Sequence, residues 1–202
     1  MEQRTLFILA GILMLCCCSS SAAAIAYPAL SSEEGSTGPT GPTGPTGYRY
    51  VKIIRDKAKM GAAGIPWLGN HHLNLMEAKV MSGGENIAFQ KNITSSSTHA
   101  GLSGGRLVDG DMTTMAHTET ADIEWFLIDL GAEYEIDQVE IYNRTDPGGS
   151  FARIRGVQIQ LSKNADMSNS IESDFVSVAQ AALATPKITW IPTGKTLTAT
   201  SN

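Results

Sequence analysis

Few residues in the chain have the type and the spacing that catalysis needs. The three cysteines are consecutive, at positions 16–18, and the sequence offers neither a Cys–His arrangement nor the nucleophile elbow of a hydrolase. Residues 194–196 are similar to the end of a phosphate-binding loop, but Thr189 occupies the position of that loop's first glycine. The adjacent His71 and His72 have no further ligand at a spacing typical of zinc sites. We therefore expect a protein that is not an enzyme.

The charge balance argues against nucleic acid as a partner. The 202 residues include 15 Lys and Arg and 20 Asp and Glu, which gives a net charge of −5, and the basic residues are not clustered. A phosphate backbone selects for clustered Lys and Arg. After position 18 the chain contains no thiol. The remainder must therefore be stable through core packing alone, which a domain of about 150 residues can achieve.

Residues 1–27 are typical of a membrane-targeting segment. An apolar run from Leu6 to Cys18 follows Arg4, and residues 24–26 (Ala-Ile-Ala) are placed like a signal-peptidase site. The strictly apolar part is shorter than the roughly 20 residues that span a bilayer, but the small residues that follow extend it close to that length. A cleaved signal peptide and a retained anchor both remain open. Either one predicts a membrane-anchored or secreted protein, located outside the cell or on a virion surface.

Residues 28–47 form a linker that ends in a repeat. From Gly38 to Gly47 the sequence reads GPTGPTGPTG, with glycine at every third position. This period is the requirement of a collagen-like triple helix, which would make the protein a homotrimer or cluster it. Three triplets are few for that role, and the alternative is a polyproline-II spacer roughly 30 Å long. The repeat thus predicts a stalk and leaves the oligomeric state open.

Residues 48–202 show the pattern of an all-β domain. Short segments with aromatic, β-branched and alternating apolar residues are separated by turns rich in Gly and Ser. The predicted strands are residues 48–55, 73–81, 124–130, 138–143, 157–161, 175–178 and 187–191. The helical pattern at residues 180–184 is the longest. These features predict an antiparallel sandwich or barrel.

The alternation also predicts which side chains face the core. In residues 73–81 it places Met76, Ala78 and Val80 on one face and Glu77 and Lys79 on the other. In the same way it places Val139 and Ile141 inward, and Gln158 and Gln160 outward. Function on such a scaffold resides in the loops at one end.

Five segments of this region resemble the F5/8 type C (discoidin-like) galactose-binding domains, and among these the fucose-binding F-type lectins. They are NIAFQKNITSSS (86–97), RLVDGD (106–111), EWFLIDLG (124–131), IDQVEIYNRTD (136–146) and RIRGVQIQLS (153–162). Each segment alone matches the family only weakly, but all five in this order are specific to it. The resemblance implies a jelly-roll β-sandwich and a carbohydrate-binding function.

The resemblance also implies a set of sugar-binding residues. In F-type lectins the sugar pocket consists of a His, an Arg-x-Asp segment and a basic residue. Twenty-six residues separate the His from the Arg, and four residues separate the Asp from the basic residue. In this sequence the spacing selects His117, Arg144 and Asp146. Phe151 stands at the last position, and Arg153 follows two residues later. We therefore expect Arg153 to complete the pocket, with Arg155 as its substitute. The guanidinium groups of the arginines and an imidazole can bind adjacent sugar hydroxyls, while Phe151 would pack on the sugar's apolar face.

The structural alternative is that these residues serve the fold. Arg144 would then pair with Asp146 or Asp129, and His117 would be an ordinary loop histidine. The family's adjacent cysteine pair is replaced here by residues 147–149, Pro-Gly-Gly. Such a turn reverses the chain without a disulfide.

The same resemblance implies a structural Ca²⁺ in the loop after Val108. Asp109 and Asp111 match two ligand positions, and carboxylate oxygens suit this hard cation. However, the loop from Asp109 to His117 is several residues shorter than in the family, and the C-terminal segment LTATSN offers no acidic ligand. The alternative is that Asp109 and Asp111 only form a turn.

The sequence therefore predicts a surface lectin whose partners are glycans or glycoproteins. Two alternatives use the same domain differently. One is a structural or attachment protein of a virion or envelope surface that contacts neighbouring proteins. The other is phospholipid binding by the apolar loop around Trp67, although packing of that loop onto the domain is the simpler interpretation.

Overall fold

A computed structural model describes residues 47–67, 72–144, 150–182 and 187–200. The predicted membrane-targeting segment (1–27) and nearly all of the predicted linker (28–47) lie outside these residues. Within the described ranges, no helix is both long and apolar enough to cross a membrane. The predictions of an anchor, a signal peptide and a triple-helical stalk therefore stay predictions.

Strands dominate the described part of the chain. They are β1 Tyr48–Asp56, β2 His72–Ser82, β3 Glu85–Asn86, β4 Asn92–Ser95, β5 Ala116–Thr120, β6 Ile123–Tyr134, β7 Gln138–Asn143, β8 Val157–Ser162, β9 Ile171–Glu172, β10 Lys187–Ile191 and β11 Thr196–Thr200. The helices are short: α1 Lys57–Ala62, α2 Val178–Ala182, and the 3₁₀ helices η1 Gly104–Leu107 and η2 Ser150–Ile154.

These strands form two antiparallel sheets. Over the described residues, one sheet has the order β4-β6-β1-β8-β9 and the other has the order β11-β10-β7-β2-β3, with β5 also paired to β2. Because consecutive strands are seldom neighbours, the chain crosses repeatedly between the sheets. The predicted all-β, jelly-roll-like sandwich is confirmed.

The core lies between the sheets and contains side chains of both. Val51, Ile53 and Phe126 come from the first sheet, and Val139 and Trp190 come from the second; all five are fully buried. Burying a side chain of this size contributes about 1.5–3 kcal/mol. This packing stabilises the domain without the disulfides that its sequence lacks.

The side chains that β2 buries differ from those predicted. Ala78 and Val80 are buried as expected, but Glu77 is also fully buried, and Met76 is only partly buried. The pairing with β7 shifts between Leu75 and Glu77, so one extra residue interrupts the alternation. Such a bulge moves side chains to the opposite face, and nothing in the residues of β2 indicates it.

Two further predictions were wrong near β8. Gln158 and Gln160 are buried rather than exposed, because residues 172–174 cover that face and accept hydrogen bonds from both amides. Residues 175–178 do not form a strand; the strand here is β9, and α2 begins at Val178.

Helix α1 was not predicted from the sequence. Asp56 caps this helix by accepting hydrogen bonds from the backbone N–H groups of residues 58 and 59.

Candidate functional site

Three neighbouring strands, β5, β2 and β7, bring the candidate site together. Asn74 on β2 is the register partner of His117 on β5. One residue further along β2, Leu75 is the partner of Asn143, the last residue of β7. Arg144 directly follows that strand end. Residues separated by more than twenty positions in the sequence therefore lie side by side at one end of the sheet.

Asn74 is the centre of this arrangement. When its amide is oriented to satisfy its neighbours, Oδ1 accepts hydrogen bonds from Arg144 Nη1 at 2.6 Å and from Arg153 Nη1 at 3.2 Å. Asn74 is buried, and both arginines are partly buried. Two like charges thus share one neutral acceptor, which holds their guanidinium groups close together in spite of their repulsion.

Arg153 reaches Asn74 from η2, the 3₁₀ helix that precedes β8. The backbone of Arg153 is held by a further arginine. Arg55 on β1 donates a hydrogen bond from Nη1 to the Arg153 carbonyl oxygen. Arg55 is nearly fully buried, and burial lowers its pKa to about 10, with a smaller contribution from the nearby Arg153 charge. This backbone contact fixes η2 against the first sheet.

His117 is neutral near pH 7. Its Nδ1–H donates to the Thr118 carbonyl oxygen at 2.8 Å, so Nε2 keeps its lone pair. Burial lowers the pKa of His117, and the charges of His72, His99 and Arg144 lower it further, against the effect of the bond to Thr118. The imidazole therefore presents an acceptor next to the arginine donors.

The structure separates the sequence-predicted residues into groups. It brings His117, Arg144 and Arg153 together around Asn74. It places Arg155 in a buried position, where Nη2 has no hydrogen-bond partner among the described residues. Asp146 lies outside the described residues, and so does the side chain of Phe151. The proposed roles of Asp146 and Phe151 stay predictions.

Sequence reasoning missed three residues here, namely Asn74, His72 and His99. The ring centroids of His72 and His99 lie 4.5 Å and 4.7 Å from that of His117. Asn74 alternates with the core residues Leu73 and Leu75 along β2. A polar residue between two buried apolar ones was the only available signal, and the same pattern is ordinary for any half-buried strand.

The segment expected to bind calcium forms a tight turn. Asp109 Oδ1 accepts from the Asp111 N–H at 2.8 Å, and Asp111 Oδ1 accepts from the Thr113 N–H, also at 2.8 Å. These hydrogen bonds fit the turn-forming alternative. Carboxylates in such turns keep further lone pairs that a cation can use.

Glu77 adds a third carboxylate beneath this turn. Its Oε2 accepts from the Gly110 N–H at 3.3 Å, while Oε1 is buried without a partner among the described residues. Burial raises the pKa of Glu77 to about 7, and the negative charges of Asp109 and Asp111 raise it further, partly offset by the Gly110 hydrogen bond. Carboxylate oxygens suit a hard divalent cation, but within the described residues these three carboxylates do not converge closely enough to form a ready-made metal site.

The side chain of Trp67 contacts charged residues of the domain. The ring is partly buried, and the charged groups of Arg55 and Lys57 each lie 5.7 Å from its centroid. These cation–π contacts favour packing of the loop onto the domain over insertion into lipid.

Comparison with protein families matched residues 106–196 to the family described as F5/F8 type C, NedA-like, galactose-binding domain. The matched region runs from η1 into β11 and contains His117, Arg144 and Arg153. Neither the curated proteins nor the solved structures gave a significant match. The predicted resemblance to F5/8 type C domains is confirmed over residues 106–196, and the match supports a carbohydrate-binding module as the general class. The closer likeness to F-type lectins stays a prediction.

Proposed function

We propose that the protein is a lectin-like module that binds fucose- or galactose-type glycans and catalyses no reaction. The observation that carries this proposal is the convergence of Arg144 and Arg153 on Asn74, next to the neutral imidazole of His117. The family match at residues 106–196 supports the carbohydrate-binding class independently of this geometry.

The chemistry of the group suits a neutral sugar. Each guanidinium presents five donors in one plane, so a donation to Asn74 uses only one of them. The neutral His117 offers an acceptor through Nε2. Adjacent sugar hydroxyls both donate and accept, and a pocket with donors on one side and an acceptor on the other can bind two of them at once. Phe151 and Asp146 are the proposed apolar and acidic complements.

A structural Ca²⁺ is the second part of the proposal. Asp109 and Asp111 would hold the ion, and Glu77 would supply the third carboxylate, whose buried oxygen otherwise lacks a partner. The ion would draw these three carboxylates together and stabilise the turn by neutralising charges that repel one another.

Display at a surface is the third part. Residues 1–27 would target the chain to a membrane, and the linker would project the domain outward. Single sugar sites are weak, so a trimeric stalk or dense display would supply avidity of about 10²–10⁴ over a single site.

A glycan array probed with the full chain in detergent tests the proposal. We expect fucosylated or galactosylated glycans to be bound, and Arg144→Gln to abolish their binding. The matched control is Arg49→Gln, because Arg49 lies on β1 in the sheet that does not contain β2, β5 and β7, and pairs there with Asp129 of the neighbouring β6. Arrays run with Ca²⁺ and with chelator separate the sugar proposal from the calcium proposal.

A chain that is folded but binds no glycan would contradict the lectin proposal. Co-purification with a coat protein would then support the structural or attachment role. Liposome binding that Trp67→Ala removes would support the phospholipid role instead.

A further inference from the structure

Two histidines and a glutamate lie together beside the candidate sugar site. His72 is on β2, His99 is in the segment between β4 and η1, and Glu119 is on β5. One potential ligand atom from each lies within 4.8 Å of the other two, and no other such group occurs within the described ranges. The spacing of 27 and 20 residues between them in the sequence is not typical of a metal motif.

Hydrogen bonds indicate which ring nitrogens face the site. His72 Nδ1–H donates to the Thr118 carbonyl oxygen at 2.9 Å, so Nε2 of the neutral ring keeps its lone pair. Histidines that bind metals commonly donate their other ring N–H to a carbonyl oxygen in this way. His99 Nδ1 lies 3.0 Å from Glu119 Oε2, and an ion bound by these two atoms would take the place of the proton that they share. The only competitor at His72 Nε2 in the described structure is the Thr120 hydroxyl, 3.3 Å away, which can rotate.

The backbone holds these residues in place before any ion binds. The His99 N–H donates to the His117 carbonyl oxygen at 2.8 Å, and the His117 N–H donates to the Leu102 carbonyl oxygen at 2.9 Å. The Glu119 N–H donates to Ser97 Oγ at 2.9 Å. The segment that carries His99 is thus bound to β5 at three points. This preorganisation lowers the entropy lost when a ligand is bound.

We propose that His72, His99 and Glu119 form a binding site for a divalent transition metal of the Zn²⁺ class. Two imidazole nitrogens and one carboxylate oxygen are a ligand set that Zn²⁺ accepts in tetrahedral coordination, with water in the fourth position. The side chains of His99 and Glu119 are 42% and 54% exposed, so an ion and its water can reach the site. Nitrogen ligands disfavour Ca²⁺ and Mg²⁺. This site is therefore distinct in chemistry and position from the proposed calcium site at Asp109.

The ring of His117 packs on both metal-binding imidazoles, with centroid distances of 4.5 Å to His72 and 4.7 Å to His99. The metal site thus adjoins the candidate sugar site but consists of different residues. It goes beyond the proposed glycan binding and does not depend on it.

The test is a titration of the full, untagged chain with Co²⁺, followed by competition with Zn²⁺. Cys16, Cys17 and Cys18 are replaced by serine throughout, because thiolates bind these metals strongly. We expect one equivalent of Co²⁺ to give the visible absorption of a tetrahedral site, and Zn²⁺ to displace it. His99→Gln and Glu119→Gln should each weaken binding by at least about 10–100-fold. Glu119 is exposed and His99 is only partly buried, so these variants should remain folded.

Two matched controls test the assignment. His71→Gln removes the fourth histidine of the sequence, which lies outside the described residues, and Glu133→Gln removes an exposed carboxylate that pairs with Lys163. Both should bind Co²⁺ like the parent. The proposal is overturned if the parent gives no tetrahedral spectrum. It is equally overturned if His99→Gln and Glu119→Gln bind normally, or if His71→Gln alone loses the metal.

Discussion

Asn74 and His117 are register partners across β2 and β5, and this pairing joins the acceptor of two arginines to the imidazole of the candidate sugar site. The partnership explains how one polar residue on a half-buried strand organises the site. β5, which carries His117, pairs with β2 along one edge, and β7, which ends directly before Arg144, pairs with it along the other.

Replacing Asn74 with alanine tests this organising role. The change removes the acceptor of Arg144 Nη1 and Arg153 Nη1 and leaves two guanidinium groups facing each other. Hydrogen bonds to charged groups contribute about 1.5–3 kcal/mol, so we expect the free energy of unfolding in urea to fall by about that amount. Asn92→Ala, on the exposed part of β4, should change it by less than about 0.5 kcal/mol. Equal stability of the two variants would contradict the role of Asn74.

Arg153 and Arg155 can be distinguished by binding. Only Arg153 contacts Asn74 next to Arg144, whereas Arg155 is buried. We expect Arg153→Gln to weaken glycan binding at least about tenfold, the effect of losing about 1.4 kcal/mol. Arg155→Gln should change the affinity of the folded fraction little. Isothermal titration calorimetry on both variants, corrected for the folded fraction, decides between them. A larger loss of affinity in Arg155→Gln would make Arg155 the pocket residue.

Glu77 should make the calcium-free protein less stable as pH rises. The pKa of Glu77 is raised from 4.5 to about 7 by burial, so the unfolded chain loses its proton before the folded one does. Stability therefore falls between pH 4.5 and about 7, because the folded state holds more protons there. Glu77→Gln should remove this part of the fall. Melting temperatures measured against pH with chelator test it.

The same variant tests calcium. Added Ca²⁺ should raise the melting temperature of the parent above pH 7 and leave Glu77→Gln nearly unchanged. Glu85→Gln, an exposed change on β3, should behave like the parent. A calcium response that persists in Glu77→Gln would exclude Glu77 as a ligand.

His117 should act in the opposite direction at lower pH. Burial lowers its pKa below the ordinary 6.5, so the unfolded chain takes up the proton first as pH falls. The contribution of neutral His117 is thus complete above about pH 6.5 and is lost as pH falls below it. His117→Gln should lose less stability than the parent over that interval. Urea midpoints compared at each pH, with chelator present, measure the difference; parallel curves would disprove it.

Gly156 should not tolerate a side chain. A Cβ on Gly156 would overlap the buried side chain of Met60, and the residue also has a φ of +73°. We expect Gly156→Ala to lower the free energy of unfolding by about 1–3 kcal/mol or more. Gly64→Ala is the matched control, because Gly64 has a φ of +71° but nothing within 4 Å of the added Cβ. The difference between the variants isolates the overlap from the backbone strain, and identical values would rule out the overlap.

The sequence was informative about local structure. Alternating apolar residues predicted β1, β6, β7 and β10 closely, since a strand with one buried face has a period of two. The prediction of buried faces failed where another segment covered the polar face of a strand, as at Gln158 and Gln160. It also failed where a bulge broke the period of two, as at Glu77. Neither feature leaves a trace in the strand's own residues.

The sequence by itself therefore determined the strand pattern, the all-β class and the spacing that singled out His117 and Arg144. Only the tertiary structure decided that Asn74 joins Arg144 to Arg153, that Glu77 lies buried beneath the Asp109 turn, and that His72 and His99 meet Glu119. The physical reason is that strand pairing and loop docking set these distances. Both depend on which strands become neighbours, and residues far apart in the chain share no local pattern that records it.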